Sequence, residues 1–137
     1  MDIFSKPKRT QIMSKISGKD TKPEILVRTY LFSKGFRYRK NAKNLPGKPD
    51  IVLPKYKAVI FVHGCFWHGH EGCRKSQLPT SNIEFWTEKI DKNKERDQQK
   101  IRELEKLGWK VIVIWQCEIK NVSLQKERLD RLLLEIR

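Results

Sequence analysis

No apolar run in this chain is long enough to span a bilayer, and its first residues, MDIFSKPKRT, lack the apolar centre of a secretion signal. The expectation is a soluble, intracellular, cytoplasmic protein with no membrane partner. Acidic residues are in deficit: 16 Asp and Glu face 30 Lys and Arg, a net +14. One-signed charge resists compaction and draws polyanions, whereas solubility alone is served equally well by mixed signs. Nucleic acid is therefore the leading partner, and an anionic membrane surface comes second. Cysteine is sparse, and its count of three is odd. That argues against a disulfide framework. There is no internal repeat and no sign of a second domain, but 137 residues can bury a real core.

What is present follows a readable order. Residues 1–20 form a basic arm, with Ile12, Met13 and Ile16 at helical spacing. It reads as a short amphipathic helix or as a segment that orders on a partner. Residues 21–137 read as a single domain. Thr21, Pro23 and Glu24 predict a capped helix running to about Lys34 and stopped by Gly35. FRYRK reads as a strand and NLPGKP as a turn. DIVLP and KAVIFVH are short apolar runs suited to a hairpin. Ser81 and Glu84 predict a second capping box opening a long helix to about Leu107, ended by Gly108. WKVIVIW has no polar alternation after Lys110, which predicts a central strand. Ser123 is the expected cap of a last helix carrying Leu129, Leu132, Leu133 and Ile136 on one stripe. The fold class is α/β, a mixed sheet with helices on both faces.

The chemistry is concentrated in FVHGCFWHGHEGC, residues 61–73, which holds all three histidines and two of the three cysteines. Cys65, His70 and Cys73 have C-x4-H-x2-C spacing, and Cys117 follows the WKVIVIW strand. Zinc takes four such ligands in a tetrahedron. If KAVIFVH and WKVIVIW are parallel neighbours, Cys117 reaches the loop and closes a structural site. His63 or His68 could replace His70 on spacing alone. The bland alternative is buried free cysteines beside unrelated histidines. The compatible placement of all three cysteines favours the metal. Asp50 opens an apolar strand and is a candidate ligand for a hard cation such as Mg²⁺, though on that dipeptide alone a turn-ending aspartate is the favoured reading. Glu24 has a sufficient role in the helix cap. Phe66 and Trp67 read as exposed beside the loop, and Trp86, on an amphipathic helix, reads by default as core.

TKPE, LPGKPDIVLP, VIFVHGCFWH, EFWTEKIDKNKERD and LGWKVIVIWQCE together resemble the very short patch repair (Vsr) mismatch endonucleases, from about Arg9 to Glu118. The resemblance implies a restriction-endonuclease-like core with structural zinc on Cys65, His70, Cys73 and Cys117. It implies catalytic Mg²⁺ on Asp50 and on the main-chain carbonyl of Val62, where relatives often carry threonine. His68 would be the catalytic histidine, with His63, Glu24 and Asp97 orienting waters and imidazoles around it. Phe66, Trp67 and Trp86 would intercalate in DNA. The arm, through Met13 and Ile16, would embrace the duplex from the minor-groove side. Arg9, Lys15, Lys89 and Lys92 would contact phosphates. The restriction superfamily normally places a carboxylate and a lysine where this chain reads VHG, so histidine must take over.

The activity so implied is strand-specific, Mg²⁺-dependent nicking at T:G mismatches left by deamination of 5-methylcytosine. The implied partners are duplex DNA and repair proteins acting after the nick, with the enzyme a monomer. Relatives read WHHHHC where this chain reads WHGHEGC, a loop one residue longer with two fewer histidines. Two other readings share the core: a restriction-type nuclease that cuts both strands, and a non-catalytic zinc-stabilised DNA-binding module. Retention of Asp50 with His68 speaks against the second.

Overall fold

The computed structural model describes residues 21–40 and 42–137. The arm, with Met13, Ile16, Arg9 and Lys15, lies outside the described residues. Helix α1 spans Lys22–Ser33, α2 Ile83–Lys106 and α3 Val122–Ile136. The strands are β1 (Arg39–Lys40), β2 (Ile51–Leu53), β3 (Ala58–His63) and β4 (Lys110–Trp115). They form one sheet in the order β1-β2-β3-β4. The β1–β2 and β2–β3 pairs are antiparallel, and β3–β4 is parallel. Among the described residues no helix is long and apolar enough to cross a membrane.

Period-two alternation sorts the strand residues onto two faces. Ile51, Leu53, Ala58, Ile60, Ile112 and Ile114 pack with Val27 and Leu31 of α1 and with Leu129, Leu132 and Ile136 of α3. Val52, Val59, Phe61, Val111 and Val113 pack on the other face with Ile101 and Leu104 of α2. Each fully buried Ile or Leu contributes about 1.5–3 kcal/mol of transfer free energy. By the same count His63 and Trp115 fall on the α2 face. That parity places the site.

Three local expectations are corrected. WKVIVIW is β4, an edge strand rather than a central one. Its polar alternation is missing because α1 and α3 bury one face and α2 half-covers the other, so neither side is left fully wet at the edge. The long helix has Asn82, not Ser81, at its N-cap, in the left-handed conformation (φ 56°) and without a side-chain cap. Asparagine tolerates that backbone, and Glu84 still lies in the first turn, where its charge suits the helix dipole. The last helix is capped by Asn121, whose side chain accepts from Leu124 N–H at 3.0 Å, and Ser123 lies inside the first turn. Asparagine is as good an N-cap as serine.

The first helix matches its reading. Thr21 Oγ1 accepts from Glu24 N–H, and Gly35 closes the C-terminus. Gly108 (φ 91°) ends α2: its N–H bonds Glu105 and Trp109 N–H bonds Leu104. This left-handed closure reverses the chain directly into β4. Of FRYRK only Arg39–Lys40 pairs, because Phe36 drops into the core where α1 ends.

Candidate active site and metal centre

The parallel register sets His63 beside Trp115, so the chains leaving β3 and β4 emerge together. Cys65 follows β3 and is buried. Cys117 lies on the 3₁₀ turn Gln116–Ile119. Between them the loop folds back on itself: His70 N–H donates to Cys65 O at 2.9 Å and Cys73 N–H to His70 O at 3.4 Å. Ser76 Oγ ties both turns, at 2.6 Å from His70 O and 2.7 Å from Cys73 O. Cys65, His70, Cys73 and Cys117 thereby each offer one ligand atom, all within 4.8 Å of one another. His70 Nδ1 is 3.4 Å from Cys117 Sγ, which selects His70 over His63 and His68 as the imidazole of this group. Burial, and then the Cys65 and Cys73 thiols, push Cys117 up to about 12. A bound cation reverses that pressure by favouring thiolates, so this group could hold a metal ion.

A second group lies on the α2 side. His68 Nδ1 is 2.6 Å from Asp97 Oδ2. A carboxylate only accepts, so Nδ1 carries a proton, and in the neutral ring Nε2 keeps its lone pair. The His63 ring stacks on His68 with centroids 3.9 Å apart and planes within 2°. His63 is buried, and its Nδ1 has no hydrogen-bond partner among the described residues. Burial, then the neighbouring His68, push its pKa down to about 4, so it is neutral at pH 7. His63, His68 and Asp97 also lie close enough to share an ion.

The third element joins these through β3. Val62 N–H donates to Asp50 Oδ2 at 2.7 Å. In an extended strand a residue's N–H and C=O point to the same side, so the Val62 carbonyl faces Asp50 too. Burial, reinforced by the Glu24 carboxylate, pushes Asp50 up to about 7 against the pull of Val62 N–H and Arg28. Glu24 is buried, with Oε2 3.8 Å from Arg28 Nη1. Its backbone serves the cap while its carboxylate lies beside Asp50.

The aromatics assemble at the N-terminal end of α2. Phe66, Trp67 and Trp86 meet edge to face with centroids 5.2–5.8 Å apart. Trp86 joins this cluster and neither buried core, which corrects its default reading. Trp67 is 50% exposed, and Asn93 Nδ2 holds its carbonyl at 2.9 Å. Phe85, 58% exposed and 5.1 Å from Trp86, was missed by the sequence reading. The repeated Phe-Trp pair at 66–67 and 85–86 was the available signal. Arg28 was missed too; its signal was the i,i+4 spacing from Glu24. Lys89 and Lys92 are exposed on α2, and Lys92 pairs with Glu88 at 3.0 Å.

A family model described as DNA mismatch endonuclease Vsr matches residues 1–75, a span that includes Asp50, His63, His68 and three of the four metal-capable loop and turn ligands. The chain belongs to the Vsr DNA mismatch endonuclease family. It is an endonuclease. A relative from Neisseria meningitidis serogroup A named type II nicking enzyme V.NmeAIP is 60% identical over 136 residues, covering 99% of this chain and 96% of the relative. The Xanthomonas oryzae type II nicking enzyme V.XorIIP is 47% identical over 132 residues, 96% of each chain. The Escherichia coli DNA mismatch endonuclease Vsr is 41% identical over 120 residues, covering 88% of this chain and 76% of that one. These matches carry the family likeness past residue 75 to the part of the chain that holds Trp86, Asp97 and Cys117.

Proposed function

We propose that this Vsr-family endonuclease nicks one strand of duplex DNA at a T:G mismatch, with Mg²⁺ at Asp50 and structural zinc at the cysteine cluster. The observation that carries the reading is the meeting of two groups at the end of β3. Val62 bonds Asp50, and the next residue, His63, stacks on the Asp97-held His68.

Both metals suit the residues present. Zinc wants thiolate and imidazole at about 2.0–2.3 Å in a tetrahedron, whose edges are then about 3.5–3.8 Å. The 3.4 Å Cys117–His70 contact fits such an edge. Magnesium wants hard oxygens. The Asp50 carboxyl and the Val62 carbonyl supply them, with Glu24 close by. Bound there, magnesium would offset negative charge on the scissile phosphate.

The chain's own groups do the rest. His68 Nε2 takes a proton from the attacking water. Asp97 holds the other nitrogen and stabilises the imidazolium that results. His63, buried and neutral, fixes the plane of His68 without adding a competing charge. Arg28 balances Glu24 and Asp50. Phe66, Trp67 and Trp86 enter at the mismatched step, where stacking and pairing are already weak and unstacking costs least. The net +14 supplies salt-dependent phosphate attraction. The arm, residues 1–20 with Met13 and Ile16, reaches around the duplex, and residues 21–137 form the catalytic domain. This sheet and its helices are read as a restriction-endonuclease-like core. Each candidate site residue comes from one chain, so a monomer suffices, and repair proteins act on the nicked product.

The test is strand-resolved cleavage of end-labelled duplexes carrying T:G or C:G, with and without Mg²⁺. One nick, on the T strand, only with T:G and only with Mg²⁺, is expected. A double-strand break, or equal cutting of C:G, defeats the reading.

A further inference from the structure

We propose that Trp115 is a positioning residue: its indole ties the Cys65–His70–Cys73–Cys117 cluster to the His63–His68 pair, so that the metal-braced loop sets the plane of His68. The inference rests on the reading of His68 as the proton acceptor. The geometry is a continuous file of rings. His70 stacks on Trp115 with centroids 4.1 Å apart and planes within 8°. Trp115 meets His63 edge-on at 5.3 Å. His63 stacks on His68 at 3.9 Å, and His68 ends on Asp97 at 2.6 Å.

The register explains why this residue holds the centre. Trp115 is the β4 partner of His63 and lies on the same face of the sheet. Its backbone is also clamped. Its N–H donates to Glu118 Oε1 at 2.8 Å, and Glu118 Oε2 is 3.4 Å from Arg128 Nε and 3.2 Å from Arg131 Nη2. Arg128 is buried at 5% exposure and is itself held by Glu135 at 2.6 Å. The clamp fixes the backbone from which the indole reaches both imidazoles.

Simple core filling does not account for the residue, because Trp115 belongs to neither buried cluster. A flat, wide ring is what the place demands. It presents a face to one imidazole and an edge to another. Leucine fills part of the volume but offers neither. Phenylalanine keeps a face for His70 and shortens the reach to His63.

The experiment compares the full-length, zinc-loaded wild type with Trp115→Phe, Trp115→Leu and His68→Ala. It measures single-turnover nicking of a T:G duplex, duplex affinity, zinc content and the imidazole NMR resonances. Nicking is expected to fall in the order wild type, Phe, Leu, with Leu down about 10–100-fold, as for loss of a residue that orients a functional one. Zinc content and duplex affinity should stay within about twofold of wild type, a split that simple loss of packing would not produce. The His63 and His68 resonances should move in both Trp115 variants. If Trp115→Leu does not fold, Trp115→Phe decides: shifted His68 resonances with full zinc support the coupling, and unshifted ones overturn it. Equal nicking in all three Trp115 forms, or loss of zinc from the variants, also overturns it. If His68→Ala nicks normally, the underlying catalytic reading fails instead.

Discussion

His68 Nδ1 and Asp97 Oδ2 lie 2.6 Å apart, joining a loop to a helix across 29 residues of sequence. The carboxylate fixes which imidazole nitrogen is free. Asp97→Asn presents an amide that can donate to Nδ1 and select the wrong tautomer. Its single-turnover nicking should fall about 10²–10⁴-fold while duplex affinity holds. A rate within a few-fold of wild type would remove Asp97 from the site.

Asp50 predicts an unusual pH response. With no divalent cation present, it holds its proton to about pH 7 in the folded chain against an ordinary 3.8. The folded state then binds more protons than the unfolded chain, and stability falls as pH rises between those values. His63 acts in the opposite sense: about 4 when folded against 6.5, so stability falls as pH drops through that window. The two nearly cancel from pH 4 to 6.5. Asp50→Asn removes only the first, so by about pH 8 the variant should exceed wild type by roughly 2–4 kcal/mol in urea unfolding. Adding Mg²⁺ should stabilise the wild type and leave the variant unmoved. Parallel stability curves for the two proteins would refute the assignment.

Metal removal should strike the fold as well as the chemistry. Cys117→Ser takes away a ligand that links β4 to the loop, and a strong chelator takes away the ion. The thermal midpoint should drop, and elemental analysis should show the ion gone, since a structural site's binding energy is folding energy. A midpoint indifferent to chelator would mean that the four ligands hold no ion.

Gly69 has φ +60°, and a Cβ there would lie 2.7 Å from Ile90 Cγ2 and 2.7 Å from Lys94 Cδ. Gly69→Ala should cost about 1–3 kcal/mol and should slow nicking, because His68 is its neighbour. Wild-type stability and rate together would show that the loop has slack the structure does not suggest.

Trp67 is half exposed, so Trp67→Ala should barely change stability. Its effect should appear in discrimination. The preference for T:G over C:G duplex in binding should shrink by about 1–3 kcal/mol, the worth of one stacked ring. An undiminished preference would exclude Trp67 as a wedge.

Much of this was legible in local pattern. Helix α1 follows from Thr21 and Gly35, and the β2–β3 hairpin from its two apolar runs. The parallel pairing of β3 and β4 was read as a condition for Cys117 to reach the loop, and it holds. The central placement of β4 failed because an apolar run reports that both faces are covered and says nothing about its edges. The default core placement of Trp86 fails because helical periodicity cannot tell a buried core from an aromatic cluster half open to solvent. The caps at Asn82 and Asn121 were displaced by a residue or two, since several polar side chains near each helix start were chemically able to serve.

Residue inventory alone determined that this chain could hold a four-ligand metal site, carry an imidazole for proton transfer and seek a polyanion. Those are properties of side-chain chemistry and net charge, and they survive without coordinates. Which histidine joins the thiols, which one meets Asp97 and which ring lies between them were decided only in three dimensions. His63, Trp115 and Asp97 are brought together by strand register and by the seating of α2 on one sheet face. Those contacts depend on burial shared among distant segments, and no local spacing in the chain encodes them.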